Sequence, residues 1–341
     1  MAYVKRGNLE KLNIGSNDSR WDKYIKFANA TIDNPSVPID EKLDVHLRGN
    51  SVHIYYKGGR ILEIKRNALN LDYNYFYSKK EHQNIPRTWM RYMFDNDQEE
   101  LRKRNISPEK CLSPSEVKRV WEELQEKRDM LLAMKTPEEY FKEAAKIMDE
   151  WSRALLDDSD IKHEERLLQQ RISVCNRHME ETDFIVLDIE FAVTNDKSVS
   201  YHSEKYLHPR FDIIALQPRK NFRLAVIELK KGVGATGLKG NGIFSQGVKS
   251  GVLDHIAKFE DTIGSARGYR EFVQEMDEVL SMKVQCGVLP VELMGIKIPV
   301  EKPDFYLAYA GSGMEHFKGA CESIGQPCIC ITDERQPFLK L

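Results

Sequence analysis

Residues 222–230, Phe-Arg-Leu-Ala-Val-Ile-Glu-Leu-Lys, make a strongly apolar run of strand-forming residues that carries Glu228 and Lys230 at its end. On a strand, residues two apart share a face. Glu228 and Lys230 therefore project together, while Ile227 and Leu229 point the other way into a core. Burying an unpaired charge is expensive, so an acid and a base at the end of such a strand need a reason.

Two earlier segments have the same texture. Residues 184–193 (FIVLDIEFAV) and 210–216 (RFDIIAL) are rich in β-branched and aromatic residues and read as strands. The polar turn QPRKN at 217–221 makes the second and third strands an antiparallel hairpin. In the expected register Asp212 converges on Glu228. Asp188 and Glu190 alternate on the first strand and share a face, so Glu190 is placed to complete the acidic cluster. Glu164 or Glu165, on the preceding helix, could reach the same place.

Carboxylates brought to one point repel, and one takes up a proton unless a cation sits between them. A divalent ion with oxygen ligands resolves the conflict. Mg²⁺ commonly takes one or two carboxylates, with waters and substrate phosphate oxygens completing its shell.

The rest of the C-terminal half supports an α/β layout. A helix pattern covers about 162–179, ahead of the first strand. Two more follow at about 249–263 and 268–282, separated from Lys230 by a stretch with glycines at 232, 234, 237, 240, 242, 247 and 251. PDFYLAYAG (303–311) reads as a buried strand, EHFKGACESIG as a short helix capped by Gly325, and CICIT (328–332) as a last strand. The order α-β-β-β-α-β-α-β implies a mixed sheet with helices on both faces.

An acid, a hairpin, and Glu-x-Lys on an apolar strand within that order resemble the PD-(D/E)xK nuclease superfamily, with its restriction-endonuclease-like fold. The motif stands as Pro209-Arg210-Phe211-Asp212, fifteen intervening residues, then Glu228-Leu229-Lys230. The resemblance covers about 160–341. It implies that Asp212 and Glu228 bind Mg²⁺ or Mn²⁺, with the Leu229 carbonyl contributing. It implies that Lys230 orients or helps deprotonate the attacking water and steadies the phosphate. Glu190 matches the extra acid that many members carry, and Gln246 resembles a glutamine some members use to hold the site. The sequence departs from the pattern in two places: two residues separate Pro209 from Asp212, and the glycine-rich stretch is unusually long. The implied activity is metal-dependent hydrolysis of phosphodiester bonds, in DNA before RNA. The alternative is a silent nuclease fold kept for binding nucleic acid or a partner.

The N-terminal half has a different texture. LDVHLR, SVHIYYK and RILEIKR are separated by Gly49-Asn50 and Gly58-Gly59, and Val52, Ile54 and Tyr56 alternate with polar neighbours. Residues 43–66 thus read as a three-stranded meander. Ser113-Pro114-Ser115-Glu116 and Thr136-Pro137-Glu138-Glu139 each combine a capping residue, Pro at the first helical position and Glu three residues on. They start helices expected over about 114–134 and 137–157. At 341 residues two domains are the prior expectation. The division is a β-rich recognition or regulatory domain over 1–100, a helical connector over 101–160 and the nuclease-like domain over 161–341. The charged connector helices are also candidates for packing a homodimer.

The formal net charge of −2 offers no whole-chain attraction to a polyanion, so a nucleic-acid surface must be a local basic patch. Tyr73, Tyr75 and Tyr77 alternate along the chain and could stack bases, though a buried contact explains them as well. His202 and His208 flank the motif without a clear role. The lysines among the glycines, Lys231, Lys239 and Lys249, could approach phosphates. Six scattered cysteines form no CxxC pair and read as reduced core thiols. The N-terminus has no apolar signal segment, and no run reaches the roughly 18 apolar residues of a membrane span. A cytoplasmic protein that does not engage membranes is expected.

Overall fold

Lys57 and Gly58 both have positive φ, 47° and 72°, which is the signature of a two-residue turn between twisted strands. They join β2 (Ser51–Tyr56) to β3 (Gly59–Lys65). The turn therefore sits one residue earlier than the Gly58-Gly59 pair suggested. Gly59 serves packing instead: a Cβ there would stand 2.4 Å from Met148 Cε and 2.8 Å from the Trp151 ring. With β1 (Asp44–Arg48) and β4 (Ala68–Asn70), these strands form an antiparallel sheet in the order β1-β2-β3-β4.

The computed structural model of the chain describes residues 22–48, 51–65, 68–71, 75, 114–157, 161–193, 209–232 and 251–341. Tyr73, Tyr77, His202, His208, Gln246, Cys111, the Gly49-Asn50 pair and the glycine-rich stretch over 233–250 lie outside them. Tyr75 is buried and accepts a hydrogen bond from the Arg60 backbone N–H at 2.6 Å, the buried-contact reading of that residue.

The small sheet is amphipathic, as its alternation requires. Val45, Leu47, Val52, Ile54 and Ile64 are buried, and α1 (Asp22–Asp33) and α3 (Pro137–Asp157) pack on this sheet. No helix was expected over α1. The opposite parity is polar: Asp44, His46, Ser51, His53, Tyr55 and Glu63. Helix α2 (Pro114–Leu132) precedes α3. The Thr136 hydroxyl caps α3 by accepting from the Glu139 N–H at 3.2 Å, and Tyr140, Ala144, Met148 and Trp151 form its buried stripe.

The second sheet has five strands in the order β5 (Ile185–Ala192), β6 (Arg210–Gln217), β7 (Arg223–Lys231), β8 (Asp304–Ala310) and β9 (Cys328–Ile331). β5, β6 and β7 are antiparallel neighbours, while β7, β8 and β9 run parallel, so the sheet is mixed. Between β6 and β7 the chain makes a short 3₁₀ turn over Pro218–Lys220 and two left-handed residues, Asn221 and Phe222. On one face Ile213, Ala215, Ile227, Leu229 and Ala308 pack with Leu168 and Ile172 of α4 (Ile161–Cys175). The other face, with Ile214, Leu216, Val226 and Leu307, joins a core that includes α5 (Val252–Asp261), α6 (Gly268–Gln285) and Phe317 of α7 (Met314–Ser323). Gly325, at φ 67°, closes α7 in the left-handed C-cap expected of it.

The fold is thus mixed α/β, an antiparallel four-stranded sheet and a mixed five-stranded sheet flanked by helices. That second core is continuous with the apolar face of the small sheet: one buried cluster holds Val45, Leu47 and Ile54 together with Leu187, Ile214, Val226 and Leu307. Cys175, Cys286, Cys321, Cys328 and Cys330 carry free thiols. Among the described residues no helix is long and apolar enough to cross a membrane.

Candidate active site

The antiparallel register pairs Ile213 with Ile227, which sets Asp212 across from Glu228 at the open end of the hairpin. The Leu229 N–H donates to Asp212 Oδ2 at 2.8 Å and fastens the two strands at that point. Glu228 and Lys230 share a face, with Lys230 Nζ 2.5 Å from Glu228 Oε1. Ile227 and Leu229, on the other face, are fully buried. The structure therefore brings Asp212, Glu228 and Lys230 to one place.

Two helices complete the surroundings. From α4, Gln169 Nε2 donates to Asp212 Oδ1 at 3.0 Å. Glu165 lies one turn earlier on the same helix and so on the same side as Gln169. From α5, His255 Nε2 sits 3.1 Å from Glu228 Oε1. A carboxylate only accepts, so the ring nitrogen facing it carries the hydrogen.

Glu190 is placed differently from the alternation of its strand. Its φ is 48°, and its half-exposed carboxylate lies 3.6 Å from Arg210 Nη1. A register shift between Val186 and Asp188 also breaks the period of two earlier in β5. Asp188 and Glu190 consequently serve different surroundings. Asp188 is buried, bonded to Arg48 and 3.3 Å from His46 Nδ1, both from the small sheet. The acids whose charge bears most on Asp212 are Glu228 and Glu165.

The electrostatics follow from this crowding. Burial, then the Glu228 charge, push the Asp212 carboxyl well above the usual carboxylate range. Burial also works to raise Glu228, but Lys230 and His255 outweigh it and hold Glu228 below its ordinary value. Lys230 is pulled down by burial and pushed up further by Glu228 and Asp212, so the ammonium is stabilised. Glu165 is raised by burial, with Lys230 opposing and Glu228 reinforcing. Without a metal, then, the cluster is a Glu228–Lys230 ion pair beside a carboxyl that favours its proton.

Glu228 supplies the test of whether a cation fits. The carboxylate is only 2% exposed, and both its donors among the described residues lie on Oε1. Oε2 is buried and has no hydrogen-bond partner among the described residues. A buried oxygen of this kind is costly to leave unmatched. It belongs to a carboxylate across the hairpin from Asp212, whose oxygens retain lone pairs after accepting from Gln169 and Leu229. Among the described residues no group of three or more His, Cys, Asp or Glu side chains is arranged to hold a metal ion. The arrangement fits an ion that takes two carboxylates and fills its shell with water and substrate oxygens, as Mg²⁺ does.

Two neighbours were not anticipated. Gln169 had a legible signal, since it stands four residues after Glu165 on a predicted helix. His255 had none: twenty-four residues, many of them glycine, separate it from Lys230, and only folding returns α5 to the strand end. Lys231, considered for phosphate contact, is engaged by Glu164 at 3.1 Å and Glu334 at 2.9 Å. Comparison with protein-family models, with curated protein sequences and with solved structures returns no match to this chain.

Proposed function

We propose that the chain is a metal-dependent nuclease that hydrolyses phosphodiester bonds, in DNA before RNA, and that its C-terminal half is a divergent restriction-endonuclease-like fold. The observation that carries this reading is the buried Oε2 of Glu228, without a hydrogen-bond partner among the described residues, in a carboxylate grouped with Asp212 and Lys230.

Asp212 and Glu228 would hold Mg²⁺ or Mn²⁺. The ion supplies charge stabilisation at the phosphate and a more acidic bound water. Lys230, held protonated by its acidic neighbours, serves as a donor that orients the attacking water and offsets negative charge on the phosphate. Glu165, with its raised pKa, is the nearby carboxylate suited to accept a proton. Gln169 fixes the Asp212 carboxyl through its amide.

The test is cleavage of plasmid DNA, single-stranded DNA and RNA in Mg²⁺ or Mn²⁺ by the wild type and by Glu228→Ala. Metal-dependent cleavage by the wild type alone supports the reading. Equal activity from both proteins removes it.

A further inference from the structure

We infer that His255 is a positioning residue that fixes Glu228 on one oxygen and so reserves the other for the metal. The inference rests on the metal-site reading above.

Among the described residues Glu228 has two donors, and both meet Oε1: Lys230 Nζ at 2.5 Å and His255 Nε2 at 3.1 Å. The two donors differ in what they can do during a reaction. Lys230 ends a flexible four-carbon stem and remains 12% exposed at its side chain. It is free to turn from Glu228 towards water or phosphate. His255 is not. It projects from α5 between Val252 and Phe259, three residues before it and four after, both of them buried. Its own residue is 9% exposed, so the short side chain is held among its packed neighbours. When Lys230 leaves Oε1, His255 is the donor that stays. It prevents the carboxylate from rotating and exchanging its oxygens, and Oε2 keeps its aim.

The ring also shows that packing alone does not explain it. Nδ1 is buried and has no hydrogen-bond partner among the described residues. A side chain selected only to fill space there would be apolar, since a buried ring nitrogen without a partner is destabilising. The Nε2–H contact with Glu228 is what a polar ring adds. Removing a partner that orients a ligating carboxylate typically costs about tenfold to hundredfold in metal affinity.

The experiment titrates MnCl₂ into the full chain by calorimetry, for the wild type and for His255→Phe, His255→Asn and His255→Gln. Phe keeps the ring volume and removes the donor. Asn keeps an amide donor but is too short to reach Glu228, and Gln places its amide nitrogen near the position of Nε2. We expect Phe and Asn to weaken Mn²⁺ binding by about tenfold to hundredfold, and Gln to stay within about threefold of the wild type. Thermal melting without metal, run in parallel, reports packing separately. If the Phe variant does not fold, the Asn and Gln pair still decides the matter. Unchanged Mn²⁺ affinity in all three, or equal weakening in all three including Gln, overturns the inference and leaves the metal site standing. A wild-type chain that binds no Mn²⁺ overturns the metal-site reading, and the role of His255 with it.

Discussion

Arg48, at the end of β1, closes its guanidinium on the Asp188 carboxylate in β5, and its second nitrogen donates to the Ile189 carbonyl at 2.6 Å. The small sheet is thereby tied to the edge strand of the large one, beside the residue whose φ is left-handed. Both charges are largely withdrawn from water, Asp188 at 1% exposure. Removing one member of a buried ion pair leaves the other without its compensation. Arg48→Met is expected to cost about 3–5 kcal/mol. Urea unfolding followed by circular dichroism would measure it; a loss below about 1 kcal/mol, the scale of an ordinary substitution, would contradict this role.

Lys230→Met should separate binding from turnover. It leaves buried Glu228 with His255 as its one donor among the described residues, so the metal-free protein should lose about 3 kcal/mol or more. On the proposed metal-site reading Mn²⁺ should restore part of that loss, because the ion would supply positive charge at the same carboxylate. Cleavage should fall by about 10²-fold or more even at saturating metal, the scale of a lost donor at a developing charge. Retention of wild-type turnover would show that the lysine is structural.

Asp212 gives the site a pH dependence of known sign. Its folded pKa is raised, by burial first and then by Glu228. The neutral carboxyl therefore favours the folded state fully below the ordinary carboxyl pKa, and that contribution is lost as pH rises through the elevated folded value. The metal-free melting temperature should decline across that window, and Asp212→Asn should flatten the decline. Mn²⁺ binding should tighten with rising pH and release a proton. Calorimetry in two buffers of different ionisation enthalpy would count that proton, and finding none would refute the assignment.

Two buried histidines predict acid lability elsewhere. Burial pulls His46 down to about 3 against the opposing pull of Asp44, and pulls His53 down to about 4. In the unfolded chain both titrate near about 6.5. Their folded values are depressed, so the stability they contribute is full above that pH and is lost as pH falls towards 4 and 3. Melting temperature measured from pH 8 downwards should drop below about pH 6.5, and His46→Gln should make the drop shallower. An unchanged profile in the variant would place the acid sensitivity in other groups.

Much of the fold was legible because its signals are local. The capping sequence at Thr136, the alternation of Val52, Ile54 and Tyr56, and the β-branched runs each act within a few residues. The predicted elements accordingly match α3, β2, β6, β7 and β8 to within a few residues. At two positions local rules compete with packing and lose. Lys57 took the left-handed turn position expected of a glycine, because Gly59 was needed where Met148 and Trp151 press on the backbone. Glu190 was expected to follow the period of its strand, and its positive φ removed it from that alternation.

For the candidate site, the covalent spacing of Glu228 and Lys230 and the hairpin turn at 218–220 were enough to bring three side chains together, since strand geometry and antiparallel register leave little freedom. What the chain could not announce is which groups from distant segments would face them. Gln169, Glu165 and His255 arrive on helices whose positions are set by the burial of Leu168, Ile172, Val252 and Phe259 against the sheet. Hydrophobic burial is non-directional in sequence, so it decides long-range neighbours only once the whole core has closed.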